Sequence, residues 1–194
     1  CILAHCMGLG KTFQVITFLY TLYTNHLTKN IIKHALIIVP VNTLQNWRAE
    51  FDKWIENEGL DQLTLHEMGD AKTYSQRETI LSNWKSSGGV LIIGHNSFNA
   101  LLHGKIQTKG ESVCKLIEET LVDPGPDIVI VDEGHTLKND ASNFNKAVST
   151  IKTLRRIVLT GTPLQNNLSE YHVMVNFVKP NLLGSKKEFT NRFF

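Results

Sequence analysis

The segment that decides the fold is His5-Cys-Met-Gly-Leu-Gly-Lys-Thr12, close to the start of the chain. Apolar residues recur at helical spacing after it, from Phe13 to Tyr23, so the segment opens a helix. Gly8 and Gly10 allow backbone conformations in which amide N–H groups converge on phosphate oxygens, and the start of the helix adds positive potential. The match to the phosphate-loop pattern G-x-x-x-x-G-K-[ST] is incomplete, because His5 occupies the position of the first glycine.

A phosphate loop assigns distinct roles to its side chains. Lys11 is predicted to reach the β- and γ-phosphates, and the hydroxyl of Thr12 to bind Mg²⁺. The backbone of Met7, of Leu9 and of the two glycines would complete the cradle around the nucleotide. The alternative is an ordinary glycine-containing turn before a helix, which needs no ligand.

An acidic pair, Asp132-Glu133, directly follows the apolar run Ile128–Val131, which predicts a buried strand. Ligand-binding residues of a parallel sheet gather at the carboxyl ends of its strands. Asp132 is therefore predicted to hold Mg²⁺, and Glu133 to polarise the attacking water as a general base. His135 is predicted to link the nucleotide to another segment through hydrogen bonds. Taken singly, an acidic pair and a loop histidine are also common surface features.

A third strand, residues 156–160, leads into Leu159-Thr-Gly-Thr-Pro-Leu-Gln-Asn166. Thr160, Thr162 and Gln165 are predicted to sense the γ-phosphate or its release, although Gly and Pro also suit a plain strand-exit turn. Three strand ends then carry polar groups suited to one nucleotide, which indicates ATP or GTP hydrolysis. The sequence has no guanine-recognising Asn-Lys-x-Asp segment, and this favours ATP.

Predicted strands alternate with predicted helices along the whole chain. The strands are continuous apolar runs, as expected when both faces of a sheet are covered, so the fold class is α/β with a mostly parallel sheet and helices on both faces. The predicted strands are 1–4, 35–39, 63–66, 90–93, 128–131 and 156–160. The predicted helices begin at residue 11 and near residues 42–43, and span 72–84, 111–121, 142–152, 168–178 and 186–194.

Length and composition are those of one globular domain, with 194 residues, a charged share of 20% and a formal net charge of +2. This charge excludes a uniformly basic binder but leaves room for a basic strip. The 3 cysteines form no framework, which favours a reducing intracellular compartment. No apolar run has the length that a membrane-crossing helix needs.

Contacts with nucleic acid are predicted beyond two further strand ends, at Pro40–Trp47 and Gly94–Phe98, where small polar groups suit phosphate binding without base recognition. Trp47 and Trp54 share helical spacing with Phe51, which favours a place in the core over base stacking. Three basic residues form either a solvated face or a strip that binds the DNA backbone: Lys138, Arg155 and Arg156.

The ordered motifs resemble those of superfamily 2 helicases, and within them the Snf2-type ATPases. Four blocks carry the resemblance: Met7–Thr12; Ile37–Pro40 with Leu44, Trp47, Glu50 and Phe51; Asp132–His135 with Lys138-Asn139; and Leu159–Asn166. Three segments resemble the ATRX-like branch: residues 2–7, which include His5, residues 122–127 and residues 176–185.

The resemblance implies a RecA-like, P-loop NTPase first lobe over residues 1–194, truncated in its first strand, with the second lobe absent. It implies ATP and Mg²⁺ as cofactors, Lys11, Glu133 and Gln165 as catalytic residues, and double-stranded DNA and chromatin in the nucleus as partners of the intact two-lobe motor. The isolated lobe is then expected to be nearly inactive. An RNA helicase lobe and a degenerate interaction scaffold are the competing interpretations. The segments Lys138-Asn139 and Leu164–Asn166 favour the DNA group.

Overall fold

The structure, a computed structural model, describes residues 1–6, 8–56, 63–69, 71, 73–103, 110–137, 142–161 and 168–193. Its strands are β1 (Ile2–Leu3), β2 (His34–Val39), β3 (Leu65–Glu67), β4 (Gly89–Gly94), β5 (Ile128–Val131) and β6 (Arg156–Leu159). They form one sheet in the order β1-β6-β5-β2-β4-β3, and every strand pair within the described residues is parallel.

The helices of the described residues lie between and after these strands. They are α1 (Lys11–Thr24), α2 (Leu44–Phe51), α3 (Tyr74–Ser87), α4 (His95–His103), α5 (Glu111–Leu121), α6 (Asn143–Ser149), α7 (Leu168–Val178) and α8 (Lys186–Phe193). A 3₁₀ turn, Val41–Thr43, precedes α2, a π-helical turn, Asp52–Glu56, follows it, and a second 3₁₀ turn, Gly134–Leu137, follows β5. None of the described helices combines the length and apolar character needed to span a bilayer.

Two apolar layers cover the two faces of the sheet, because successive strand residues point to opposite sides. Ile37, Ile92 and Ile130 face the layer formed with α1 and α2. Leu36, Leu91 and Val129 face the layer formed with α3, α4, α5, α6 and α7. Since strand residues on both faces are buried, the predicted α/β fold with helices on both faces is confirmed.

Helix α4 is absent from the sequence-based prediction, which treated Gly94–Phe98 as a polar segment beyond a strand. Its first residues are polar and follow a glycine, so the apolar spacing is weak at its start. The helix forms because Phe98 and Leu101 are buried against the sheet, with exposed fractions of 0% and 2%. Helix α3 begins at Tyr74 rather than residue 72, because Thr73 and Gln76 form a reciprocal capping box.

Arg156 corrects one interpretation of the basic residues, because it belongs to neither a solvated face nor a DNA-binding strip. Its side chain is buried, and burial lowers the pKa of the guanidinium. The guanidinium donates to the carbonyls of Thr153, Phe177 and Ile151 at 2.9, 2.8 and 2.7 Å. Arg156 therefore ties β6 to the end of α7. Arg155 is exposed, and Lys138 lies outside the described residues.

Candidate nucleotide-binding site

The three strands that carry the predicted nucleotide motifs are neighbours in the sheet, in the order β1-β6-β5. Their carboxyl ends are level, because Leu3 pairs with Leu159 and Val131 pairs with Val158. The loop before α1, the acidic pair after β5 and the turn after β6 therefore leave the same edge of the sheet side by side. This is the edge at which parallel sheets bind ligands.

The loop before α1 depends on two glycines for its backbone conformation. Gly8 and Gly10 have φ values of 84° and 69°, in the left-handed region that L side chains rarely adopt. A Cβ at either position would have no neighbour within 4 Å, so conformation rather than crowding calls for glycine. Leu9 between them is exposed, and Met7 lies outside the described residues. Gly10 is the N-cap of α1 and has no side chain that could cap the helix. The backbone N–H groups of the first turn therefore remain available to an anionic ligand.

Lys11 begins helix α1, and its ammonium folds back over the loop. The Nζ atom donates to the carbonyl of His5 at 2.7 Å and to the carbonyl of Cys6 at 3.1 Å. Both bonds are solvent-exposed, so a phosphate oxygen can replace a carbonyl partner at little cost. Thr12 follows in the first turn of the same helix, half-buried at the mouth of the loop.

Asp132 is held in place at both carboxylate oxygens. Trp47 donates from Nε1 to Oδ2 at 2.8 Å, and the backbone N–H of Glu133 donates to Oδ1 at 2.9 Å. The backbone N–H of Asp132 donates to Ile38 at 2.9 Å, which continues the pairing of β5 with β2. A carboxylate has about four lone-pair sites, so both oxygens keep capacity for a cation.

Trp47 makes a contact with the candidate site that sequence reasoning missed. Its predicted place in the core is confirmed by an exposed fraction of 1%. The prediction did not include its bond to Asp132, which is 85 residues away in the chain. The sequence does hold one indication of such a contact, because the indole N–H of a buried tryptophan usually has a hydrogen-bond acceptor.

Glu133 has a φ of 51°, and Asn181 is the other non-glycine residue with positive φ among the described residues. Such conformations cost free energy and cluster at functional sites. The Glu133 Oε2 atom lies 3.0 Å from His135 Nδ1, but the pair lacks the alignment of a hydrogen bond, since Nδ1 has no hydrogen-bond partner. The carboxylate therefore stands at the sheet edge, half-buried beside a histidine.

Close packing around position 134 explains why a glycine separates Glu133 from His135. A Cβ at this position would collide with the side chain of Val158 and approach the sulfur of Met174 to 3.2 Å. Without a side chain, the turn packs directly on β6 and α7. This close packing positions the two flanking side chains at the sheet edge.

The structure thus brings five predicted residues to one edge of the sheet: Lys11, Thr12, Asp132, Glu133 and His135. Thr160 is buried, and its N–H donates to Leu3 at 3.0 Å, which links the exit of β6 to β1. Other predicted residues lie outside the described part of the chain: Met7, Lys138, Asn139, Thr162 and Gln165.

Fold and site together define a phosphate-loop nucleotide-binding domain built on a parallel sheet. The sequence model of the SNF2-related domain matches residues 1–194, and the chain belongs to this family. The predicted resemblance to Snf2-type ATPases is confirmed.

Similar proteins come from animals and plants. The transcriptional regulator ATRX of Mus musculus is 51% identical over 196 residues, which cover 100% of this chain and 8% of that protein. The ATRX homolog of Drosophila melanogaster is 46% identical and the protein CHROMATIN REMODELING 20 of Arabidopsis thaliana 44%, over 100% of this chain and 15% and 13% of theirs. The chain therefore spans 8–15% of the length of these relatives, and the resemblance to the ATRX-like branch is confirmed.

A solved structure shares the fold. The Sulfolobus solfataricus SWI2/SNF2 ATPase core in complex with double-stranded DNA matches with a TM-score of 0.68 and 26% identity, over 99% of this chain and 34% of that one. The predicted RecA-like fold is confirmed, and the chain is a Snf2-family ATPase domain.

Proposed function

We propose that this chain is the ATP-binding and ATP-hydrolysing lobe of a motor that translocates on double-stranded DNA. The observation that carries the proposal is the level arrangement of the three motif-bearing strand ends, with Lys11, Asp132 and Glu133 at one edge. Membership of the SNF2-related family supports it.

Each of these residues has a role that its contacts support. The Lys11 ammonium, now on exposed loop carbonyls, would bind phosphate oxygens. The Glu133 carboxylate would accept the proton of the attacking water. His135, whose Nδ1 lies 3.0 Å from Glu133 Oε2, would link the nucleotide to another segment. Gln165 is proposed to act with them.

Mg²⁺ fits this set of side chains. No group of three or more His, Cys, Asp or Glu side chains in the described part of the chain forms a cation site of its own. Thr12 and Asp132 would therefore hold the ion together with phosphate oxygens and water, which is the coordination that Mg²⁺ prefers. When bound, the ion would neutralise charge that develops on the phosphates.

The proposed partners are double-stranded DNA and chromatin, in the nucleus. The Sulfolobus core binds double-stranded DNA, the mouse relative is a transcriptional regulator, and the Arabidopsis relative is a chromatin-remodelling protein by name. That core is also about three times as long as the matching region, which supports a second RecA-like lobe in the intact protein. This second lobe would supply arginine fingers, and residues 1–194 would form the first lobe.

The test is ATP hydrolysis by the intact protein with duplex DNA, with RNA and with neither. We expect duplex DNA to stimulate hydrolysis about tenfold or more and RNA to leave it near the basal rate. Residues 1–194 alone should hydrolyse ATP very slowly, since an arginine finger contributes about 10³–10⁵ in rate. Stronger stimulation by RNA would favour an RNA helicase lobe, and no hydrolysis at all would favour a scaffold. Robust DNA-stimulated turnover by residues 1–194 alone would contradict the two-lobe proposal.

The bond from Trp47 to Asp132 leads to a prediction about Mg²⁺. In the intact protein, Trp47→Phe keeps an aromatic ring in the core but removes the donor to Oδ2. We expect the Mg²⁺ concentration for half-maximal hydrolysis to rise about 10–100-fold, because partners that orient a ligand typically contribute that much to metal affinity. The measurement is a titration of hydrolysis with free Mg²⁺ at saturating ATP.

The matched control is Trp84→Phe. Trp84 is equally buried and donates from Nε1 to the carbonyl of Gly89 at 3.0 Å, at the opposite edge of the sheet. Its loss should reduce stability without moving the Mg²⁺ midpoint. Equal midpoints in the two variants would show that the indole of Trp47 contributes only to packing.

A further inference from the structure

A cleft of about 400 Å³ lies at the amino ends of β2 and β4, at the edge of the sheet opposite the nucleotide site. We call it the lysine cleft. Its lining includes three lysines and three hydroxyl side chains: Lys29, Lys33, Lys85, Thr64, Ser86 and Ser87. Strand β2 has 6 residues, so about 20 Å separate the cleft from the carboxyl ends of the strands. A ligand in the cleft and a nucleotide can therefore be bound at the same time.

Contacts between distant segments hold the walls of the lysine cleft in place. The N–H of Gly89 donates to the carbonyl of Lys33 at 2.8 Å. The hydroxyl of Tyr23 lies 3.0 Å from the same carbonyl and 2.8 Å from that of Gly89. His34 Nε2 lies 3.2 Å from the carbonyl of Lys85. The backbone that carries Lys33 and Lys85 is therefore fixed before a ligand binds.

The lysine cleft has an excess of positive charge, and none of the described residues that line it is a carboxylate. The two nearest carboxylates are already bound, because Lys85 donates to Glu119 at 2.6 Å and the backbone N–H of Lys33 donates to Asp127 at 2.8 Å. Lys29 and Lys33 are exposed, and their ammonium groups form no ion pair with another described residue. Both ammonium groups are therefore available to an anionic ligand.

The turn of residues 25–31, which carries Lys29, also exposes two large apolar side chains. Leu27 and Ile31 are 69% and 54% exposed. The turn is held by its own hydrogen bonds. Asn25 accepts from the N–H groups of Leu27 and Lys29, both at 2.9 Å, and Thr28 accepts from the N–H of Ile31 at 2.8 Å. Leu27 and Ile31 are thus exposed on an ordered turn beside a charged cleft, a combination typical of interaction sites.

We propose that the lysine cleft and the turn of residues 25–31 bind an acidic segment of a partner protein that also carries apolar side chains. Carboxylates of the segment pair with Lys29 and Lys33, and its apolar side chains cover Leu27 and Ile31. These features favour a peptide over nucleic acid, because a phosphate backbone has no apolar group to cover the turn and is bound by longer rows of cations. The inference does not depend on the proposed function.

The test measures binding of a synthetic peptide to the intact protein in the absence of ATP. The probe is a short fluorescein-labelled peptide in which Asp-Glu pairs alternate with Leu. In one control peptide the carboxylates are replaced by amides, and in the other each Leu is replaced by Ser. Fluorescence anisotropy gives the affinity, and amide hydrogen exchange of residues 25–34 shows whether the peptide binds at this surface.

Two double variants separate the charged half of the surface from the apolar half. Lys29→Glu with Lys33→Glu reverses the free charges, and Leu27→Ser with Ile31→Ser removes the exposed apolar groups. The matched control for charge is a third double variant of two exposed lysines on α6 and α8, which do not line the cleft: Lys146→Glu with Lys187→Glu. The melting temperature of each variant checks its folding.

We expect the acidic peptide to protect residues 25–34 of the wild type from exchange. Reversal of the two cleft lysines should weaken binding about tenfold or more, because attraction becomes repulsion, and the matched control should stay within about twofold. Loss of the two apolar side chains should weaken binding about threefold or more. The amide peptide should bind about tenfold more weakly than the acidic one, and the serine peptide about threefold more weakly.

Unchanged exchange of residues 25–34, or equal binding of the acidic and amide peptides, would overturn the proposal. Protection of the same residues by duplex DNA, lost when the cleft lysines are reversed, would also overturn it, because it would identify a contact with nucleic acid. If the lysine variant melts at a lower temperature, the amide peptide and the serine variant still decide. No outcome depends on ATP hydrolysis, so failure of the proposed function leaves this test intact.

Discussion

The Glu133→Gln variant of the intact protein is expected to bind ATP with wild-type affinity and to hydrolyse it about 10²–10⁴ times more slowly, the usual contribution of a general base. Glutamine has nearly the same shape as glutamate but cannot accept the proton of the attacking water. The backbone N–H at this position still donates to Asp132, so the carboxylate proposed to hold Mg²⁺ keeps its orientation.

Two measurements separate binding from chemistry in this variant. Titration with a non-hydrolysable ATP analogue reports affinity, and single-turnover hydrolysis reports the chemical step. The control is Glu118→Gln, which removes the charge of an exposed glutamate. Glu118 lies on α5, whose main packing partner among the described elements is α3 rather than an element of the nucleotide site. Loss of binding with an unchanged single-turnover rate would contradict the assignment of Glu133 as the base.

The Lys11→Ala variant is expected to lose both binding and hydrolysis. A hydrogen bond to a charged group contributes about 1.5–3 kcal/mol, so removal of the ammonium should weaken ATP binding about 10–100-fold. The rate of hydrolysis should fall a further 10²–10³-fold, about the effect of removing one group that stabilises the charge developing on the phosphates in the transition state. The fold should survive, because the carbonyls of His5 and Cys6 that lose their donor are exposed to water.

The measurement is ATP affinity and DNA-stimulated hydrolysis of the intact protein, with the melting temperature as a check of folding. Lys152→Ala is the matched control, since Lys152 is an exposed lysine after α6. If Lys11→Ala leaves ATPase activity and effects on chromatin unchanged, the chain acts as an interaction scaffold. Loss of activity in both lysine variants would indicate a general effect of charge.

Most of the secondary structure could be predicted from local patterns. The apolar runs of β2, β4 and β5 predict buried strands correctly, because covered sheets need apolar residues on both faces. Helix α4 was missed, because its polar first residues conceal two buried anchors, Phe98 and Leu101. Boundaries shifted where a side chain caps a helix, as Thr73 does at α3.

Contacts between distant residues could not be predicted. Arg156 looks like a solvent-exposed or DNA-binding residue until three backbone carbonyls are seen around its guanidinium. The sequence predicts Trp47 only as a core residue, whereas the structure shows that its indole N–H also donates to Asp132. In both cases the polar atoms are visible in the sequence, and their partners are not.

The sequence by itself determined which residues are equipped for phosphate chemistry and that each follows a strand, because glycine conformations, apolar periodicity and side-chain chemistry are local properties. Only the tertiary structure decided that the strands bearing these motifs are neighbours, in the order β1-β6-β5, with level carboxyl ends. Strand order depends on pairing between segments more than 100 residues apart, such as β1 with β6.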